Sequence, residues 1–155
     1  MTLRLGVEVV PAEKFIYARL AAESGAGDAV SNRLYGYAAA QQQGTGITYP
    51  AIVWQLQAPS EDVKAIGNVR IMSRPIYVVR VIVQASSWNT AQPIADAIDR
   101  ALEGASGIVD AGEADQAEVL TVSRIGPFSL VEAVSGVQYR HLGGQYRLFV
   151  QLQQP

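Results

Sequence analysis

The segment 75–102 constrains the fold more than any other part of this 155-residue chain. Its first part, 75–85, is a dense run of β-branched residues, which is typical of a strand buried on both faces. Beyond Trp88 the spacing changes, and apolar residues recur three and four positions apart over 91–102, which predicts a helix with one apolar stripe. The centre of the chain is therefore predicted to be a strand, a tight turn and a helix, a unit that carries no evident reactive group.

The flanking sequence predicts further strands and a second principal helix. That helix runs from Pro11 to about Glu23. Strands are predicted where apolar and polar residues alternate or β-branched residues cluster, at 2–9, 32–37, 49–57, 118–125 and 128–134. Loops are predicted over 38–46 and over the acidic connector 104–117.

The length of the chain predicts a single domain, 1–155, because about 150 residues can bury one hydrophobic core. Within it, 1–10 is expected to be an extra N-terminal strand and 58–74 a candidate protruding arm.

Two adjacent glycines, Gly143 and Gly144, coincide with a change in the side-chain pattern. Before them the larger apolar residues fall at odd positions, Val137 and Tyr139, and after them at even positions over 146–152. Because side chains alternate strictly between the faces of a strand, this change requires a bulge in one strand or a two-residue turn between two strands. A bulge is favoured, with a positive φ angle at one of the glycines.

Composition excludes several functional classes. The chain has no cysteine, so disulfides, thiolate nucleophiles and cysteine-based metal sites are excluded. A formal net charge of −2, with no run of basic residues, argues against a protein that grips nucleic acid. The longest apolar run, near 76–83, is interrupted by Arg80 and is far shorter than the roughly 20 residues that span a bilayer. Synthesis in the cytoplasm and no contact with a membrane are expected.

No cluster of residues predicts catalysis or a cofactor. His141 is the only histidine, and an imidazole bonded to the backbone or lying at an interface is favoured over a catalytic base. One histidine with dispersed carboxylates does not supply the ligands of a zinc site. The acidic stretch 110–115 departs from calcium-loop spacing at Gly112 and Ala114. We therefore expect no enzyme activity, no cofactor and no metal.

The segment 58–73 is the best candidate for an interaction surface. It is polar, has a turn at Gly67-Asn68, and is read as a protruding hairpin or as a loop over the sheet edge. Its interspersed apolar residues argue against plain disorder, so we predict an arm that reaches a neighbouring subunit or another protein. The residues predicted to make such contacts are Glu61, Asp62, Val63, Lys64, Ile66, Val69, Arg70 and, outside the arm, Trp88.

The order of elements over about 11–152 resembles one family. The N-terminal helix leads to an Asn-Arg-Leu-Tyr sequence at 32–35, and a loop leads into 46–54. The central strand then passes Trp88 into an alanine-rich helix, and a final strand contains 139–147. Together these features resemble the tail terminator, or tail completion, proteins of long-tailed bacteriophages.

The resemblance implies an α+β fold, with a mostly antiparallel sheet of five or six strands and two principal helices packed on it. It implies a structural virion protein of the tail or neck, assembled in the host cytoplasm. Six copies would form a ring that caps the tail tube, ends its polymerisation and joins the tail to the head connector. The implied partners are further copies of the chain, the tail tube protein and the head-completion or connector protein, while DNA passes through the lumen without specific binding.

Two alternatives stay open at this point. One is another phage neck or tail component, such as a connector or tube protein. The other is a small-ligand-binding α+β domain, with a pocket between sheet and helices lined by Trp54 and Tyr77.

Overall fold

The computed structural model describes residues 9–36, 47–68, 70–114 and 116–152, without the side chains of 58–60 and 152. Along these residues the helices and strands are α1 (Val9–Ala22), β1 (Leu34–Gly36), β2 (Ala51–Lys64), β3 (Arg70–Val83), α2 (Ala91–Leu102), β4 (Gly107–Val109), β5 (Ala117–Val134) and β6 (Val137–Leu152), with a short 3-10 turn at Asp28–Val30. Both predicted helices are confirmed, each to within two residues at either end. None of the described helices is long and apolar enough to cross a bilayer.

The described strands form one six-stranded sheet in the order β1-β2-β3-β6-β5-β4. β1 pairs with β2 in parallel, and the remaining pairings are antiparallel. The predicted α+β class with two principal helices is confirmed. The sheet is mixed because the parallel strand β1 is added at one edge.

The core lies on the face of the sheet that carries α1 and α2, called here the helix face. Alternate residues of the central strands point into it, including the fully buried Tyr77 and Leu148. α1 contributes Ile16 and Leu20, and α2 contributes the predicted stripe of Ala91, Ile94, Ile98, Ala101 and Leu102. The helices are thus held by burial of one apolar face each, which is the main source of helix stability in proteins.

We expect Ile98→Ala to lower the free energy of unfolding by about 2–5 kcal/mol. Ile98 is fully buried in α2, so the change removes buried methyl groups and leaves a cavity. Urea denaturation of both proteins measures the difference. A loss below about 0.5 kcal/mol, the range of a surface substitution, would contradict the packing described here.

One loop prediction and one strand prediction in the second half of the chain are wrong. The connector 104–117, expected to be a loop, contains β4, which pairs with the start of β5 and buries Val109. The strands 118–125 and 128–134 are one strand, β5, because Gly126-Pro127 lies inside it. Beyond Val119 no described strand pairs with the outer side of β5, and an edge strand tolerates a proline, which has no N–H to donate.

The prediction of a bulge or turn at Gly143-Gly144 is also wrong. β6 is continuous, and its register with β3 is constant from Val150 to Arg140, with neither glycine at positive φ. The two register shifts lie in the partner strand β5, next to Leu120 and Ile125. Glycine is required at 143 for a steric reason, because a Cβ there would overlap the backbone of Val79.

The loop predicted over 38–46 lies outside the described residues. Most of the predicted N-terminal strand also lies outside them, and its last residues, Val9 and Val10, belong to α1. The short strand predicted at 32–37 corresponds to β1, and the strand predicted at 49–57 corresponds to the first half of β2.

Candidate interaction surface

The segment predicted to be an arm is the end of a long hairpin formed by β2 and β3. Gly67 and Asn68 have φ angles of 89° and 64°, which allow the chain to reverse there, as predicted. The last described pairing of β3 with β6 joins Ser73 to Val150, and the hairpin continues past it. We call residues 61–72 the hairpin arm. Of the two readings left open by the sequence, the hairpin is therefore correct.

The hairpin arm pairs its own charges. Arg74 at its base lies 2.6 Å from Glu61, and Arg70 lies 3.8 Å from Asp62 across the strands. Lys64 is exposed near the turn. Because such solvent-accessible pairs contribute little stability, with a median below about 1 kcal/mol, their removal should not unfold the domain.

The apolar residues of the hairpin arm are only partly covered by the chain. Ile66 is fully exposed at the turn, Ile71 is 46% exposed and Val63 is half-buried. Val69 lies outside the described residues. The fully exposed Ile66 is available to contact another chain, and the predicted role of the arm as an interaction surface stays a prediction.

Trp88 does not join the hairpin arm. It is half-buried in the turn before α2, where the Arg140 guanidinium lies 4.8 Å from the centre of its ring. Arg140 also donates a hydrogen bond to the carbonyl of Ser86 at 2.8 Å. One face of the indole is thus occupied by the chain itself, and the proposed role of Trp88 as an anchor for a partner stays a prediction.

The face of the sheet opposite the helices, called here the open face, carries a second feature. Arg80 and Phe128 both lie opposite Gly143 in the strand register, on either side of it. Because glycine has no side chain, the Arg80 guanidinium reaches across and lies 5.4 Å from the centre of the Phe128 ring. The sheet curls around this contact and forms a trough of about 730 Å³, partly lined by Gln55 and Val78. Trp54 and Tyr77, the side chains that would line the pocket of the small-ligand alternative, lie inside the packed core.

His141 links three strands through a contact with Arg80, one of the residues that line the trough. Arg80 Nε of β3 donates to His141 Nδ1 at 3.2 Å, and His141 Nε2 lies 2.8 Å from Glu132 Oε1 of β5. This arrangement fits a neutral imidazole that accepts at Nδ1 and donates from Nε2. The partners are side chains and not the backbone group that was one of the two expectations; the other, a place at an interface, stays a prediction. Burial lowers the pKa of His141 below its ordinary value of 6.5, and the Glu132 carboxylate acts in the opposite direction.

We expect stability to fall as the pH drops below about 6.5, the ordinary pKa of histidine. In this range the unfolded chain takes up a proton on His141, whereas the folded chain, with its lowered pKa, does not. The free energy of unfolding stops falling on this account once the pH is below the lowered pKa of His141. Urea denaturation between pH 8 and pH 5 measures the free energy of unfolding, with His141→Gln as the control. The wild-type curve should fall more steeply than that of the variant, and parallel curves would contradict the interpretation.

Sequence reasoning missed the contacts between Arg80, Glu132 and His141. The lone histidine was the only available signal. Among the described residues no group of three histidine or acidic side chains is placed to hold a metal ion.

Comparison with known proteins shows a shared fold. A chain of a solved structure described as the virion of a native gene transfer agent particle matches with a TM-score of 0.64 and 18% identity, over 93% of this chain and 97% of that chain. A second solved chain matches over 98% of this chain and 97% of its own, with a TM-score of 0.48 and 12% identity, too low to support a fold assignment. No protein-family model matches the sequence, and neither does any curated protein.

Proposed function

We propose that this chain is a structural protein of a phage-like virion, without catalytic activity, and that it acts as a tail terminator. In this role it forms a ring that caps the tail tube, ends its polymerisation and joins the tail to the head connector. The observation that carries the proposal is the fold, which matches a chain of a gene transfer agent virion over nearly the full length of both chains.

The described surface supports a role in assembly. An exposed isoleucine at the end of the hairpin arm and a largely unpaired outer edge of β5 are features that a monomer normally avoids and that contact with other chains would cover. The slightly acidic net charge suits a ring through which DNA passes without being held.

The specific role of tail terminator is supported by the order of helices and strands, which resembles that of tail terminator proteins. A different neck or tail component with the same fold is the main alternative, because a shared fold does not determine the position in a particle.

Native mass spectrometry combined with negative-stain electron microscopy tests the proposal. We expect a ring of about six times the 16.6 kDa mass of one chain, and binding of this ring to one end of purified tail tubes. A monomer at micromolar concentration would contradict the proposal. A ring that binds the head connector but never the tube would favour the other neck components.

A further inference from the structure

The outer edge of β5 is the largest unpaired backbone edge among the described residues. β4 covers β5 only at Ala117, Glu118 and Val119, and no described strand pairs with its outer side over 120–134. Five of the chain's exposed large apolar side chains lie in this stretch, namely Leu120, Ile125, Leu130, Val131 and Val134. An edge with these properties recruits a further strand unless it is protected.

The first half of this edge is protected and the second half is not. Register shifts next to Leu120 and Ile125, followed by Pro127, disrupt regular pairing over 120–127. Over 128–134 the register with β6 is constant and there is no proline. The single charge in this half, Glu132, is engaged by His141 at 2.8 Å. We call residues 128–134 the free edge.

The opposite edge of the sheet provides a contrast. There β1 pairs with β2 at Ile52, Val53 and Trp54. The rest of β2 contains Pro59, Glu61, Asp62 and Lys64, the proline and charges that normally guard an edge. The free edge has no such proline and no unengaged charge, so its backbone is available to pair with a further strand.

The sequence predicts one further strand, in a segment that lies outside the described residues. Residues 2–8 alternate, with Leu3, Leu5 and Val7 separated by Arg4 and Gly6, a pattern typical of a strand with one apolar face. This segment lies directly before Val9, the first residue of α1, whose carbonyl oxygen lies 3.5 Å from the Tyr77 hydroxyl.

The free edge of the same chain is too far away for this segment. Tyr77 lies in β3, so the outer side of β5 is three strand spacings away, about 14 Å. Tyr77 pairs with Tyr146 and Phe128 pairs with Gly143, so Phe128 lies three residues of β6, about 10 Å, further along the sheet. The resulting diagonal of about 17 Å would use roughly five of the seven residues before any pairing began. A neighbouring chain imposes no such limit.

We propose that residues 2–8 of one copy add as a strand to the free edge of a neighbouring copy. Leu3, Leu5 and Val7 would then lie on the open face, along the row of side chains that contains Phe128, Leu130 and Val134. The contact joins two different surfaces of the chain, the head-to-tail type of interface that gives a ring when its rotation closes, as the proposed assembly requires. The inference rests on the proposed assembly and names the interface that builds it.

Disulfide trapping tests the contact, since the natural chain contains no cysteine and gives no background. Leu5→Cys is mixed with Leu130→Cys, and Phe128→Cys and Val134→Cys cover other registers. Directly paired positions have the Cα separation of about 5.5 Å that a disulfide requires. Under mild oxidation, at least one mixture should give a covalent dimer, and the double variant should give a ladder of oligomers. Leu5→Cys with Ile125→Cys, in the protected half of the same strand, is the matched control and should not cross-link.

The outcomes separate this inference from the proposed function. A ring in native mass spectrometry without any of these cross-links would overturn the strand exchange and leave the ring intact. A disulfide within one chain in the double variant would also overturn it. A protein that is monomeric throughout would overturn both the exchange and the proposed assembly.

Discussion

Replacing Gly143 by valine is expected to lower the free energy of unfolding by about 4 kcal/mol or more, enough to unfold a large share of a domain of ordinary stability. Gly143 lies in β6, directly opposite Arg80 of β3. A Cβ at this position would overlap the Val79 carbonyl and lie 2.7 Å from the Cα of Arg80. These are backbone atoms of the two central strands, so they cannot move aside as a flexible side chain would.

Gly126→Val provides the matched control. A Cβ at Gly126 meets no atom within 4 Å, and the residue is not at positive φ. Valine is also favoured in strands, so we expect a change within about 0.5 kcal/mol. Urea denaturation of both variants checks the comparison. Equal losses at the two positions would show that the close approach of β3 and β6 does not determine the need for glycine.

Removing the hairpin arm is expected to leave a folded protein that no longer caps tail tubes. In this variant residues 61–72, the whole hairpin arm, are replaced by an Asn-Gly turn, which suits a two-residue hairpin and keeps Gln57 opposite Ile76. The removed side chains whose exposure is described are exposed or only half-buried, and their ion pairs are weak, so the free energy of unfolding should change by no more than about 1 kcal/mol. Circular dichroism and denaturation check the fold, and binding to purified tube ends checks the capping.

A point substitution tests whether the turn of the hairpin arm makes the contact with the tube end. Ile66→Lys should weaken binding to tube ends, because it places a charge where an apolar contact is expected. Ile108→Lys is the control, since Ile108 is 54% exposed but lies in β4, away from the arm. If native mass spectrometry shows that the ring is kept in the arm variants, the arm contacts the tube; if the ring is lost, it contacts a neighbouring subunit. Normal capping by both arm variants would rule the arm out.

The elements that sequence reasoning predicted well are those fixed by local periodicity. α2 is an example, because its apolar stripe, including Ile94 and Ile98, has the spacing of one helix face and is buried as a unit. The hairpin turn was found because Gly67-Asn68 is a strong local turn signal.

The errors arose where pairing across strands determines the outcome. The glycine at 143 is explained by the backbone of Val79, which is far away in sequence. Pro127 was read as a strand break because its position at the edge of the sheet depends on the strand order. Likewise, the contact of His141 with Arg80 and Glu132 depends on the register of three strands, which a single sequence does not specify.

The length of tail tubes in the producing cell tests the proposed function most directly. Particles are made with the intact chain, with the hairpin-arm deletion and with the gene silenced, and tubes are measured by electron microscopy. We expect tubes of uniform length joined to heads with the intact chain, and overlong tubes without heads in the other two cases. Tubes of normal length that join heads normally when the gene is silenced would contradict the proposal that this chain ends the polymerisation of a tail tube.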